Sequence, residues 1–68
     1  VYQLDNEVFI HTDEAVYSTY QLWTIDGRLM QEGLINSSIT RFSKPQAGIY
    51  LIQLKGNSSN KTIKTFLK

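Results

Sequence analysis

The chain contains no cysteine, so neither a disulfide framework nor a thiolate metal site is available to it. Its single histidine, His11, alternates within a predicted strand, where a solvated side chain is expected. No apolar run approaches the roughly 20 residues of a membrane-spanning helix, and no stretch has the pattern of a signal peptide. These absences leave little material for catalysis and leave the cellular compartment open.

The other groups that could carry chemistry are also sparse or badly placed. The four glycines are spread one per turn and form no phosphate-binding loop. Asp13 and Glu14 are adjacent carboxylates, but neighbouring side chains on an extended chain point apart, and no oxygen-rich calcium loop accompanies them. We therefore expect no enzyme activity, no cofactor and no metal site within this chain.

Charge is distributed unevenly although the net charge is only +1. Residues 1–34 hold six acidic side chains and one basic side chain, whereas residues 35–68 hold six basic side chains and no acidic one. Acidic early strands could pair with basic late strands, at about 0.2–1 kcal/mol per cross-strand pair. Alternatively, a basic edge could meet an anionic partner.

The strongest strand signal lies in residues 49–54, directly after a breaker cluster that ends at Gly48. Tyr50, Ile52 and Leu54 share one face by the two-residue period, and the opposite face is also largely apolar. This pattern predicts a central strand that is covered on both sides at its start. Gly48 is predicted to serve a positive φ or a close backbone approach.

Turn signals recur about every eight to twelve residues, and no segment shows a sustained helical period. Asp26-Gly27 predicts a tight hairpin with a type I′ turn. The predicted strands cover residues 1–4, 7–11, 17–25, 28–32, 39–42, 49–55 and 61–68. The sequence therefore predicts an all-β, immunoglobulin-like antiparallel sandwich of about seven short strands, with an OB-like or SH3-like barrel as the alternative.

Three sequence blocks, taken in order, resemble one family. They are Leu-Trp-Thr-Ile-Asp-Gly-Arg-Leu-Met at 22–30, Ala-Gly-Ile-Tyr-Leu-Ile-Gln-Leu at 47–54 and Lys-Thr-Ile-Lys-Thr-Phe-Leu-Lys at 61–68. The order is similar to that in the type A C-terminal sorting domain of proteins exported by the type IX (Por) secretion system of Bacteroidetes. That family has an Asp/Asn-Gly-Arg/Lys turn, then a Gly-x-Tyr strand, then a lysine-rich final strand. Here Pro45 stands where the family usually has leucine.

The resemblance implies that residues 1–68 are a single sorting domain and a fragment of a larger secreted precursor. Such a domain is not an enzyme, although its cargo can be one. It folds in the periplasm, is read by outer-membrane type IX translocon proteins, reaches the cell surface or medium, and is often removed by a sortase-like peptidase. The motif maps onto Asp26, Gly27 and Arg28, and onto Gly48 and Tyr50. The candidate residues for recognition by the translocon are Lys61, Lys64, Phe66 and Lys68.

An address read by a receptor should lie on an exposed edge rather than in a pocket. We therefore expect the last strand to present alternate lysines and a free edge, which would also permit a strand-exchanged homodimer. A second hypothesis is an immunoglobulin-like accessory domain of a secreted enzyme or adhesin that binds glycan or protein through Trp23 and Tyr17. A third, a nucleic-acid-binding barrel, is disfavoured by the six early acids, so no nucleic-acid partner is expected.

Overall fold

The computed structural model describes residues 1–13, 15–43 and 45–68. Seven β-strands are present in this part of the chain, and their pairings are all antiparallel. They are β1 (Tyr2–Leu4), β2 (Glu7–His11), β3 (Thr19–Thr24), β4 (Leu29–Leu34), β5 (Ile39–Ser43), β6 (Gly48–Lys55) and β7 (Asn60–Leu67). The described residues include no helix that is long and apolar enough to cross a membrane.

The strands form a three-stranded sheet of order β1-β2-β5 and a four-stranded sheet of order β4-β3-β6-β7. This arrangement confirms the predicted seven-stranded sandwich, and the barrel alternatives are wrong. The order differs at one strand from the constant-type immunoglobulin domain, in which the fourth strand joins the first, second and fifth. Here β4 instead pairs with β3 at the edge of the larger sheet.

The core lies between the two sheets and is built by two-residue alternation along the strands. Tyr20 and Phe42 come from opposite sheets, and their rings stack with centroids 5.6 Å apart. Such an aromatic contact contributes about 0.5–1.5 kcal/mol beyond the burial of its area. The most deeply buried side chains are those of Val8, Ile10, Leu22, Ile52, Leu54 and Leu67.

Strand β6 is central, as predicted, because β3 and β7 flank it. Its Tyr50, Ile52 and Leu54 are all buried in the core. The prediction that both faces are covered at its start is wrong, since Ile49 is 43% exposed. The second sheet covers only the inner face, and no described element packs over the outer one, so an apolar residue there stays in contact with water.

Two predictions about glycines are also wrong. Gly48 has no positive φ, and a Cβ built on it would meet only Tyr50 Cε2, at an ordinary 3.7 Å. The predicted strand at residues 28–32 is ended by Gly33, but in the structure Gly33 lies within β4, opposite Tyr20. A Cβ at Gly33 would approach Tyr20 Cε1 to 2.8 Å, so the tyrosine ring occupies the space that a side chain would need.

The segment before β3 turns more tightly than the sequence indicates. By two-residue alternation Val16 shares a face with Tyr20 and Leu22, which predicts that Val16 points inward. In the structure it is 39% exposed because β3 begins only at Thr19. The amides of Val16 and Tyr17 both donate to the carbonyl of Asp13 at 3.0 Å. The sequence is compatible with either half a helical turn or a plain loop at residues 13–15, and Glu14 lies outside the described residues.

Candidate functional site

The three sequence blocks of the resemblance form neighbouring strands of one sheet. Thr24 of β3 lies opposite Tyr50 of β6, and Tyr50 lies opposite Thr65 of β7. Three stretches that are distant in sequence are therefore adjacent at one end of the four-stranded sheet. This proximity follows from the strand order β3-β6-β7 and is not encoded in any single block.

Strand β7 is the edge of the four-stranded sheet, and among the described strands it pairs only with β6. This confirms the expectation that the last strand presents an edge. Lys64 and Phe66 point to the outer face of the sheet, because they lie opposite the outward-facing Leu51 and Ile49. Lys61 lies opposite the buried Leu54 and therefore belongs to the other face, although its own side chain is exposed.

Phe66 gives this edge an apolar component. It is 60% exposed, and its cross-strand partner Ile49 is 43% exposed. An exposed aromatic–aliphatic pair costs free energy in water, and such pairs become favourable when a partner covers them. The edge therefore combines unpaired backbone groups, an apolar pair and the exposed Lys64.

The lysines of the candidate site form no ion pair with any described residue. The one ion pair in that part of the chain joins Arg41 Nε to Glu7 Oε2 at 3.8 Å, between β5 and β2. Both side chains are largely exposed, so this contact contributes at most about 1 kcal/mol. Pairing of acidic and basic strands thus occurs at this one place, and it does not involve Lys61, Lys64 or Lys68.

The end of β7 is fastened to the other sheet by the side chain of Gln3. Gln3 Nε2 donates to the carbonyl of Lys68 at 3.2 Å, and the amide of Lys68 donates to Gln3 Oε1 at 3.0 Å. The primary amide of Gln3 therefore acts as a short substitute for a neighbouring strand. We call this pair of hydrogen bonds the Gln3–Lys68 clasp.

Asp26, Gly27 and Arg28 lie in the hairpin that joins β3 to β4, which confirms the hairpin prediction. The turn is not type I′, because Gly27 (φ +96°) has a positive φ and Asp26 does not. The Gly27 amide donates to the Thr24 carbonyl at 3.0 Å, and the Thr24 amide donates to the Arg28 carbonyl at 2.8 Å. These bonds define a three-residue loop whose last residue is a left-handed glycine.

The Thr24 hydroxyl organises the loop. It donates to a carboxylate oxygen of Asp26 and accepts the Arg28 amide at 2.9 Å. The hydrogen bond from Thr24 lowers the pKa of the exposed Asp26 carboxyl below its ordinary 3.8, with the nearby Arg28 charge adding to the effect. Thr24 thus ties Asp26 and Arg28 together across the loop and favours the ionised form of the Asp26 carboxyl.

Gly48 and Tyr50 do not reach the exposed surface of β7. Tyr50 is 6% exposed, and its hydroxyl donates to the carbonyl of Gln46. The ring thus packs in the core while its polar atom anchors the segment that leads into β6. These two residues shape the scaffold, and the surface residues of the candidate site are Lys61, Lys64, Phe66 and Lys68.

The structure does not bring Trp23 and Tyr17 together as one platform. Tyr17 packs against the core cluster, whereas Trp23 lines a groove of about 240 Å³ on the outer face of the four-stranded sheet. The indole nitrogen of Trp23 donates to Gln21 Oε1 at 3.3 Å. The other residues that line the groove are Thr24, Gly27, Leu51, Gln53 and Thr62.

Sequence reasoning missed the structural roles of two residues, Gly56 and Gln3. Gly56 lies so close to Val16 that a Cβ would approach the Val16 carbonyl oxygen to 1.8 Å. The only available signal was its position in a turn-rich stretch, which explains a glycine without identifying the approach. Gln3 carried no signal at all, because its partner lies 65 residues away.

Across the described residues, no group of three or more His, Cys, Asp or Glu side chains is placed to hold a metal ion. Comparison with protein-family models finds no match for this chain. No curated protein and no solved structure shows a significant match to it. The likeness to type IX sorting domains therefore continues to rest on the three sequence blocks.

Proposed function

We propose that this domain is a secretion signal that directs a periplasmic cargo through the outer-membrane type IX translocon to the cell surface. The observation that carries the proposal is the exposed edge strand β7, with Lys64 and Phe66 on its outer face. Its proposed partners are translocon proteins and a sortase-like peptidase. The domain itself performs no reaction in this proposal.

The physical basis is addition of a strand at an open sheet edge. Backbone groups along β7 supply affinity that does not depend on sequence, and alternate side chains supply specificity. Phe66 offers an apolar anchor, and Lys64 favours an acidic receptor surface. A rigid sandwich behind the edge keeps the ordering cost of binding small, since the strand is already extended.

The test fuses residues 1–68 to a reporter carrying a signal peptide in a bacterium with a working type IX system. We expect the reporter at the cell surface. Lys64→Glu with Lys68→Glu should reduce surface delivery at least about tenfold while leaving the fold intact, because charge reversal at an interface costs on the order of 1–3 kcal/mol.

The matched control is Arg41→Glu with Lys55→Glu, which changes the net charge equally but away from the Lys64–Lys68 end of β7. Arg41 lies in β5 of the other sheet, and Lys55 lies opposite Asn60, at the far end of β7 from Lys68. It should export normally, and far-ultraviolet circular dichroism should show that both double variants are folded. Normal export of the folded Lys64/Lys68 variant, or periplasmic retention of the unaltered fusion, would contradict the proposal.

A further inference from the structure

A groove lies beside Trp23 on the outer face of the four-stranded sheet, and it reaches β7 at Thr62 rather than at the Lys64–Lys68 end. Leu51 lies directly opposite Trp23, and Gln53 lies opposite Thr62, so the groove spans β3, β6 and β7. Gly27 closes one end without a side chain, and no heavy atom lies within 4 Å of the position that its Cβ would take. The opening is therefore wide beside the indole ring.

The indole ring of Trp23 is held in place by a hydrogen bond from its ring nitrogen. Gln21 accepts the hydrogen bond of the ring nitrogen, so the ring is fixed by its edge and its face is left for a ligand. The Thr24 hydroxyl is likewise occupied by Asp26 and Arg28. A ligand thus meets an aromatic surface and the aliphatic side chain of Leu51.

Two polar side chains along the groove have unused hydrogen-bonding capacity. The Gln53 amide and the Thr62 hydroxyl make no hydrogen bond with the described part of the chain. Together they offer donors and acceptors side by side on adjacent strands. None of the described residues that line the groove carries a charge.

The mixture of apolar surface and free polar groups in the groove favours some classes of ligand over others. A cationic ligand would lose hydration and meet the like charge of Lys64, which lies opposite Leu51 on the same face. An anionic ligand would gain only that one solvent-exposed lysine, whose attraction contributes little in water. A purely apolar ligand would cover Gln53 and Thr62 and leave them unpaired. A pyranose ring fits both requirements, because its C–H face can lie on the indole while its hydroxyl groups reach the amide and the threonine.

We propose that this groove binds a neutral pyranose sugar, such as the terminal unit of a glycan, with Trp23 as the stacking surface and Gln53 and Thr62 as the hydrogen-bonding residues. This goes beyond the export function and does not depend on it. A ligand of this size in an open groove of this kind is expected to bind with a dissociation constant on the order of millimolar.

The test is an amide NMR titration of the intact domain with the methyl glycosides of glucose, galactose and mannose. At least one should shift the signals of residues 23, 51, 53 and 62 in a saturable way. Trp23→Ala should abolish the shift, and Gln53→Ala or Thr62→Val should weaken binding about fivefold, as expected for one lost hydrogen bond. Phe66→Ala, which alters the same outer face outside the groove, should bind like the unaltered domain.

Three outcomes would overturn the proposal. The first is the absence of saturable shifts with all three glycosides at tens of millimolar, and the second is equal shifts in folded Trp23→Ala protein. The third is the same set of shifts on concentrating the protein without sugar, which would assign the groove to a second copy of the chain. None of these results affects the export experiment, since that experiment reads only reporter location.

Discussion

Strands β6 and β7 have the same length of eight residues and pair along their whole extent, yet they differ in the number of neighbouring strands and in the burial of their side chains. β6 has a partner on each side and buries Tyr50, Ile52 and Leu54. β7 has a partner on one side and buries only Leu67. Side-chain burial in β6 stabilises the fold, whereas β7 leaves its groups available to a partner.

Stability and recognition therefore depend on different strands. A 68-residue domain buries only about 60% of the surface that its unfolded chain exposes, so its stability margin is small and the loss of central contacts removes much of it. Its edge strand contributes less to that margin. Sequence changes on the outer face of β7 can therefore alter binding at a modest cost in stability.

The largest expected effect comes from truncating the centre of β6. Ile52→Ala removes buried methyl groups from a side chain that is 0% exposed and should lower the free energy of unfolding by about 2–5 kcal/mol. The matched change in β7, Phe66→Ala, should lower it by less than about 1 kcal/mol, since that ring is mostly exposed. Urea denaturation followed by circular dichroism measures both.

If Ile52→Ala fails to fold, Ile52→Val gives the same comparison on a smaller scale, at about 0.5–1.5 kcal/mol. Equal losses from the β6 and β7 substitutions would break the distinction between the two strands. It would mean that the outer face of β7 is packed in solution, for example against another copy.

A second pair of changes tests the two ends of β6. Gly56→Ala should lower the free energy of unfolding by about 1–3 kcal/mol, because the new Cβ would collide with the backbone of Val16. Gly48→Ala meets only an ordinary contact and has no positive φ to strain. Gly48→Ala should be neutral or stabilise the fold by up to about 1 kcal/mol, because alanine lowers the conformational entropy of the unfolded chain.

Thermal unfolding of both glycine variants against the unaltered domain measures this difference. A Gly56→Ala protein as stable as Gly48→Ala would show that the segment around Val16 yields easily. The close contact between Gly56 and the backbone of Val16 would then place no constraint on the residue at position 56.

The smallest expected effect concerns the hairpin at the opposite end of the sheet from Gly56. Because the folded pKa of Asp26 is lowered, the ionised form stabilises the fold at pH values above about 4, and this contribution is lost as the pH falls through the folded pKa. Asp26→Asn should remove this part of the acid dependence. Thr24→Val should return the Asp26 pKa towards its ordinary value of 3.8.

An NMR titration that follows the Asp26 carboxyl signal in the unaltered domain and in the Thr24→Val variant measures this pKa directly. An unchanged Asp26 titration in Thr24→Val protein would show that the hydroxyl contact does not hold in solution.

The strands and their order of appearance could be predicted because alternation and turn residues are local properties. Residues 7–11 were bounded correctly, since the turn at Asp5 and the loop after His11 flank an alternating run. The return strand was cut short at Gly33, because sequence alone does not show that Tyr20 lies over that glycine. The exposure of Ile49 was missed for a related reason: an apolar strand face does not reveal whether a second sheet covers it.

The candidate site was predicted in its parts but not in its arrangement. The edge position of β7 was expected, and the fold confirms it. The separation of Trp23 from Tyr17 depends on which side of β3 each ring occupies, and Tyr17 lies before the strand begins. The groove needs residues from three strands, so no local pattern could indicate it.

The Gln3–Lys68 clasp has a consequence for the order in which the molecule assembles. It joins residues 65 apart, so the entropy lost in closing that loop is near the largest this chain can incur. That cost falls once the intervening strands have paired, because the loop that remains to be closed is then effectively shorter. We therefore expect the clasp to close after most other pairings, and until then the lysine-bearing end of β7 remains accessible to a binding partner.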